Sequence, residues 1–183
     1  MIKGYEGKKT RLVPLDFDRH FENAFAWIND PECTQWIAGG DYPISRLAEK
    51  DWFEQRQRDG ESAAFFAIET LEGEHIGFSS LIHIEPRHGT ATSGSMIGIH
   101  EHRGKGNGSD AARVRAYYAF EVLNLRMIFS GYIEGNERSK RMQEAVGYGE
   151  WGRQYGALWK RGAYRDHVHT VLTRDRWREL SRV

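Results

Sequence analysis

The spacing of hydrophobic positions changes several times along the chain, and each change predicts an element. Residues 11–15, RLVPL, form a short apolar run that predicts a first strand. Phe17, Phe21, Ala24, Phe25 and Ile28 then recur at i, i+4, i+7, i+8 and i+11, the spacing of one helix face. Asp30-Pro31 stops that helix, because a residue before proline avoids the α region. After a loop marked by Gly39-Gly40 and Pro43, Ser45 supplies an N-cap for a second helix ending near Gly60. Leu47, Ala48 and Trp52 are expected on its buried side. Residues 63–69, 75–85 and 91–100 read as three strands joined by short polar turns, an antiparallel meander.

The second half opens on a glycine-rich turn, residues 102–111, that runs into a helix. Ala111, Val114, Tyr118, Ala119, Val122 and Leu123 share one face of it. Residues 126–133 predict a strand. Asn136 caps a short helix lined by Ser139, Met142, Ala145 and Val146 and closed by Gly147 at C′. From Tyr148 onward two strands flank a turn at 160–162. The order β α α β β β α β α β β predicts one α/β domain over residues 1–183. Its mixed sheet has about seven mostly antiparallel strands, with about four helices across its faces.

Composition narrows the function. At 183 residues, 39% apolar and 13% aromatic, the chain suits one domain whose core leans on aromatic side chains. Lys and Arg number 26, as do Asp and Glu, so the net charge is zero. A general nucleic-acid or anionic-membrane binder would carry a basic excess, so neither partner is expected. A single cysteine, Cys33, makes no internal disulfide and fits a reducing compartment. The opening MIKGYEGKKT lacks the apolar stretch of a signal peptide, and no apolar run approaches the ~18 residues of a membrane span. A cytoplasmic location is expected, as monomer or homodimer. His100 with His102 and His167 with His169 each form H-x-H, but no third ligand has suggestive spacing, and no metal is expected.

The most informative stretch is Arg103-Gly104-Lys105-Gly106-Asn107-Gly108. A strand, a glycine turn and a helix start together make an anion site, since the first helical amides lack intrahelical partners and the dipole adds positive charge. Glycine lets phosphate oxygens approach the backbone. The P-loop pattern fails because Ile99 stands five residues before Gly104 and Gly106 follows Lys105. The G-x-G-x-x-G pattern fails because Ser109 stands three after Gly106.

What fits is R-x-x-G-x-G, Arg103-x-x-Gly106-x-Gly108, which resembles the pyrophosphate loop of the GCN5-related N-acetyltransferases (GNAT), most of all the RimJ/RimL-type branch. The resemblance covers about residues 10 to 178. It includes TRLVPL, SGSMIGIHEHRGKGNGSDA, FEVLNLRMIF, NERSKRMQEAVGY and YRDHVHTVLTRDRW. It implies a sheet splayed around acetyl-CoA, with the pyrophosphate on the amides of Arg103, Gly104, Lys105, Gly106, Asn107, Gly108 and Ser109. The strand before the loop is implied to splay at a bulge, so that Met96, Ile97, Gly98 and Ile99 pair with the pantetheine arm. Asn136 would contact the coenzyme near its thioester or act only as an N-cap; Ser139 is a weaker candidate beside it. Arg138, Lys140 and Arg141 would reach the 3′-phosphate or form a solvated basic face. The implied reaction is direct attack of a primary amine, on a small molecule or a protein N-terminus, on the thioester.

Two positions depart from the family pattern. Gln143 stands seven after the asparagine, where many members carry a tyrosine that protonates the thiolate. Thr92 stands two before Gly94, where an acidic residue is common. By location, His83 and Glu85 become candidate catalytic residues, placed on one face by strand alternation. Trp27, Trp36, Tyr42 and Trp52 belong to the region that walls the acceptor site in this family, either as core or as a cation–π surface. The alternative class is an acetyl-CoA-binding sensor or interaction module with little turnover.

Overall fold

The computed structural model describes residues 3–58 and 60–181. Met1, Ile2, Asp59, Arg182 and Val183 lie outside them. The sequence reading assigns these five to the opening segment, the end of the second helix and the C-terminal limit of the domain.

One sheet organises the molecule. Its strands are β1 (Tyr5–Glu6), β2 (Thr10–Pro14), β3 (Ala63–Thr70), β4 (His75–Glu85), β5 (Thr90–Ile97), β6 (Met127–Ile133), β7 (Gly149–Lys160) and β8 (Ala163–Thr173). They lie in the order β1-β2-β3-β4-β5-β6-β8-β7, and every neighbouring pair is antiparallel except β5 with β6. The helices are α1 (Phe17–Ile28), α2 (Pro31–Thr34), α3 (Arg46–Arg58), α4 (Asn107–Tyr117), α5 (Glu137–Val146) and α6 (Arg174–Ser181). The mixed α/β fold is as the sequence predicts, with eight strands and six helices among the described residues in place of about seven and four.

The additions have local causes. Asp30-Pro31 ends α1, but Asp30 also caps α2 by accepting from Glu32 N, with Pro31 in the first turn where its missing N–H costs nothing. The two-residue β1 exists because the turn at Gly7 returns it onto β2. Charged α6 is held by Trp177, whose ring meets Phe120 at 5.6 Å.

Two apolar layers cover the sheet. On one face α4 packs Ala112, Ala116 and the following π-helical turn (Ala119, Phe120) against Leu81, Ala91, Ile128 and Leu172. On the other, α1 and α3 bring Phe21, Ala24 and Phe53 together. Here the expected face of α3 is wrong: Leu47 is 70% and Trp52 40% exposed, whereas Glu49 and Phe53 are buried. Phe53 sits edge-on to Phe17 and Phe21, each at 5.9 Å. Seating that ring turns the helix so that the neighbouring Leu47 and Trp52 face outward.

Candidate functional site

The parallel pair β5–β6 is where the sheet opens. Thr90, Ala91 and Thr92 pair with Met127, Ile128 and Phe129, and backbone pairing stops there. Side chains carry the contact one step further: Ser93 Oγ donates to Phe129 O and Ser130 Oγ to Ser93 O, both at 3.1 Å. Beyond this point β5 stays paired with β4 to Ile97, and β6 stays paired with β8 to Ile133, but not with each other. Gly94 and Ser95 are therefore exposed although they lie on a central strand. Such an edge presents N–H and C=O groups to whatever enters the gap.

The expected bulge is not on β5, whose register with β4 runs unbroken from Thr92 to Ile97. The irregularity lies in β4 between Ile82 and Glu85, where His83 has φ +51°. The divergence is held instead by side chains that take strand carbonyls. Arg115, buried on α4, donates Nη1 to Gly94 O at 2.8 Å and to Ser79 Oγ at 3.0 Å. Across the gap Gln143 donates Nε2 to Gly131 O at 2.9 Å.

The glycine turn lies at the open end. Gly104 and Gly106 have φ +74° and +88°, values that side chains with a Cβ rarely adopt, and α4 begins at Asn107. Asn107 Nδ2 braces the turn by donating to His102 O at 3.1 Å. The first amides of α4 lack intrahelical partners, so the turn is built as an anion cradle. Asp110 anchors it from below, accepting from the amides of Lys8, Lys9 and Thr10 and from Thr10 Oγ1 at 2.9–3.0 Å. That grip brings Lys9 to the turn: its Nζ donates to Lys105 O at 2.7 Å and lies 3.5 Å from where a Cβ on Gly106 would stand. Arg103 points the other way, donating Nε to Ile97 O at 2.9 Å and Nη2 to Gly98 O at 2.7 Å and to Cys33 Sγ at 2.9 Å. Burial, then the hydrogen bond to Asp30, raises the Cys33 thiol to about 11 against the pull of Arg103.

The predicted residues thus separate into two groups. Met96 and Ile97 lie on the open edge, residues 103–106 form the turn that follows it, and residues 107–109 open α4. Ile99 packs with the core of Leu12, Ile68 and Ile76. Asn136 caps α5, accepting from Ser139 N at 3.2 Å, and Ser139 Oγ accepts from Gln143 Nε2 at 3.2 Å. His83 and Glu85 are not brought to the gap. Both are exposed near the closed end of the sheet, and the left-handed backbone at His83 interrupts the regular strand that alternation assumes.

A cleft of about 950 Å³ continues the gap between the α1–α3 connection and the β7–β8 turn, lined by Thr34, Tyr42, His100, Arg138, Lys160 and Arg161 among others. Within it Lys160 Nζ holds both Asp41 oxygens at 2.7 Å. Of the four aromatics in the helical region only Trp27 is buried, while Trp36 has Arg161 and Arg165 over its ring at 6.0 and 5.6 Å. Among the described residues no group of three metal-ligating side chains occurs, and His102 instead meets Glu74 Oε2 at 2.9 Å.

Residues 9–149 match the family model described as an acetyltransferase (GNAT) domain. The chain belongs to the GNAT family. A Bacillus subtilis (strain 168) protein named "Putative ribosomal N-acetyltransferase YdaF" is 31% identical over 106 residues, 58% of this chain and 57% of that protein's length. The chain therefore spans little more than half of that curated relative. Among solved structures, spermidine N-acetyltransferase from Vibrio cholerae in complex with CoA and spermine superposes with a TM-score of 0.83 at 21% identity, covering 92% of this chain and 97% of that one. A GCN5-related N-acetyltransferase from Brucella melitensis gives 0.78 at 23% identity, covering 98% and 82%. At these identities the structures establish the fold. No helix among the described residues is long and apolar enough to cross a membrane.

Lys9, Arg115 and His167 escaped sequence reasoning. Lys9 sits about a hundred residues from the turn it joins, and Arg115 interrupts an apolar helix face, the one local sign of its burial. His167 stands out in the sequence only through its H-x-H pair with His169.

Proposed function

We propose that this chain is an acetyl-CoA-dependent N-acetyltransferase of the RimJ/RimL type, one domain over residues 1–183 acting in the cytoplasm as a monomer or homodimer. The observation that carries the reading is the unpaired β5 edge at Gly94–Ser95 leading directly into the glycine turn at 103–108. An extended, amide-bearing arm satisfies the edge, and a pyrophosphate satisfies the turn, so the two features fit one ligand. In this reading the amides of residues 103–109 hold the pyrophosphate, while Met96, Ile97 and Gly98 face the arm. Asn136 and Ser139 flank its far end. The Arg103 guanidinium supports the strand end, and Lys9 supplies the cation beside the phosphates.

When bound, the coenzyme supplies an activated acetyl group. The chain's residues position it and admit an amine from the cleft side. The acceptor is a primary amine on a small molecule or a protein N-terminus, in keeping with what the spermidine and ribosomal enzymes are named for. A protein α-amine, with pKa near ~8, offers more free base at neutral pH than an alkyl amine near ~10.

Thermal unfolding with acetyl-CoA, and with ADP and NAD as controls, tests the reading. Acetyl-CoA at about 100 times Kd adds roughly 2.7 kcal/mol and raises Tm by several degrees. Gly106→Glu, which places an anion in the cradle, is expected to remove that rise; because φ +88° strains any side chain with a Cβ, the ligand-free Tm falls as well, and the readout is the acetyl-CoA-induced shift measured from the variant's own ligand-free Tm. A second reading is a coenzyme-binding module, favoured by Gln143 and Thr92 standing where the family pattern has a tyrosine and an acidic residue. Tight acetyl-CoA binding with no thiol release across a broad amine panel would decide for it.

A further inference from the structure

Beyond the coenzyme cradle, the wall of the gap carries a histidine that no part of the scaffold employs. β8 pairs with β6 in the register Gly131↔His169 and Ile133↔His167. Gly131 is the first β6 residue past the Ser93–Ser130 bridge, the point where the two central strands part. The ring of His167 lies across it. A Cβ built on Gly131 would stand 2.7 Å from His167 Nε2 and 2.8 Å from the Val168 carbonyl oxygen, so glycine lets both the imidazole and the neighbouring backbone close onto the opened strand. Thr170 and Gln143 hydrogen-bond on the helical side of the sheet, where Val168 and Leu172 are buried. Alternation therefore puts His167 and His169 on the opposite side, which α1 and α3 share and which opens towards the acceptor.

Four of the eight histidines have no ring nitrogen engaged among the described residues, and of these His167 is the one not exposed to solvent, since His83, His88 and His100 all are. His20, His75, His102 and His169 each have a ring nitrogen engaged, His169 through Nε2 to Gln154 Oε1 at 3.1 Å. Among the described residues neither nitrogen of His167 has a hydrogen-bond partner, and the ring is only half-buried. Its close neighbour is the His169 ring, 4.3 Å away between centroids. The charged groups nearest along β8 are Arg165, whose guanidinium is turned to Trp36, and Asp166, which accepts from Arg153. The β7 partner Gln154 and the β6 partner Ile133 carry no charge.

Resting on the acetyltransferase reading, we propose that His167 is the general base of this site, its Nε2 accepting a proton from the ammonium form of the acceptor. The freed amine lone pair attacks the thioester carbonyl carbon, a C–N bond forms, and the C–S bond breaks. The second amine proton leaves with the sulfur as free CoA thiol, and imidazolium returns its own to solvent. Burial, and then the neighbouring His169, hold the His167 pKa below the usual histidine value, so the ring is neutral and able to accept at pH 7. Position, exposure and an unengaged nitrogen are what a base needs.

The test pairs a spectrum with a rate. In ¹⁵N-histidine-labelled protein, the His167 imidazole signals are assigned by their loss in His167→Gln. They are expected to titrate below pH 6.5, and to move on addition of acetyl-CoA but not of adenosine 3′,5′-bisphosphate, which fills only the nucleotide end. With spermidine, free amino acids and a peptide with a free N-terminus as acceptors, His167→Gln is expected to retain the acetyl-CoA-induced rise in Tm. It should lose about 100-fold in kcat at pH 7, and less at pH 9 where more amine is already free. An unmoved His167 signal while Tm shows acetyl-CoA bound, or a His167→Gln rate within about threefold of wild type, overturns the assignment and leaves the acetyltransferase reading standing. Failure of acetyl-CoA to raise the wild-type Tm removes that reading, and the base with it.

Discussion

Gln143 donates to the carbonyl of Gly131, so the side chain standing where many GNAT members carry a tyrosine is fixed to the wall of the gap. It is 3% exposed, and its oxygen accepts from Thr170 Oγ1 while its nitrogen also reaches Ser139 Oγ. A fully engaged amide does not exchange protons with a leaving thiolate, which leaves that proton to come from the attacking amine. Gln143→Ala strands one buried carbonyl and one buried hydroxyl, and is expected to cost about 2–4 kcal/mol in urea unfolding.

The contact between Trp27 and Gly98 predicts a second outcome. A Cβ on Gly98 would lie 2.0 Å from Trp27 Cδ2, with the indole flat against the strand end. Gly98→Ala is expected to lose about 1–3 kcal/mol by overpacking and to weaken acetyl-CoA binding, because the displaced residue neighbours Ile97 on the open edge. Combining it with Trp27→Leu should recover part of the loss, a coupling that a double-mutant cycle measures directly.

Asp110 ties the amino-terminal hairpin to the glycine turn. Burial would raise its carboxyl pKa, but the hydrogen bonds from Lys9, Thr10 and Lys8 outweigh it, and the net effect is a pKa below 3.8. The folded state thus prefers the ionised form. The resulting stability is present at neutral pH and lost as pH falls below about 4. Asp110→Ala is expected to lower stability at pH 7 by roughly 3 kcal/mol and to weaken coenzyme binding by releasing Lys9. Calorimetry with acetyl-CoA checks the second effect.

Two other buried groups give slopes of opposite sign. Glu49 is 6% exposed on α3, and burial alone raises it from 4.5 to about 7. Its protonated form is the one the fold accepts, so its contribution is complete below pH 4.5 and lost as pH rises through 7. Glu49→Gln is expected to stabilise the protein at pH 8 by about 1–3 kcal/mol and to change little at pH 4.5.

His75 works the other way. Its Nε2–H donates to Gly77 O at 3.0 Å and its Nδ1 accepts from Asn23 at 3.1 Å, fixing a neutral ring between Trp27 and Phe78. Burial, then the neighbouring His20, lowers it from 6.5 to about 3. Stability present above pH 6.5 is lost as pH falls towards 3, at up to about 1.4 kcal/mol per pH unit. Urea unfolding at pH 7 and pH 5 should show a smaller drop in His75→Gln than in wild type.

Much of the fold was legible because its signals are local. The α1 period, the Asn136 cap and the glycine turn each declare themselves within a dozen residues, and the matching structures agree with the fold they imply. What escaped depends on distant partners. The outward turn of Leu47 and Trp52 follows from the seat that Phe17 and Phe21 offer Phe53. The bracing of the β5 edge follows from Arg115 and Arg103, whose targets are backbone carbonyls and leave no mark in the sequence. His83 misled because alternation assumes a regular strand, and one residue at φ +51° ends it.

Cys33 has a consequence for redox chemistry. The residue is 9% exposed, its Sγ donates to Asp30 Oδ2 at 3.2 Å, and a pKa near 11 leaves roughly one thiolate in ten thousand at pH 7. Disulfide exchange proceeds through the thiolate. The proposed reaction would release a free thiol at every turnover, and the chain keeps its own sulfur, beside the strand that would carry that thiol, in the form least able to trap it or its disulfide.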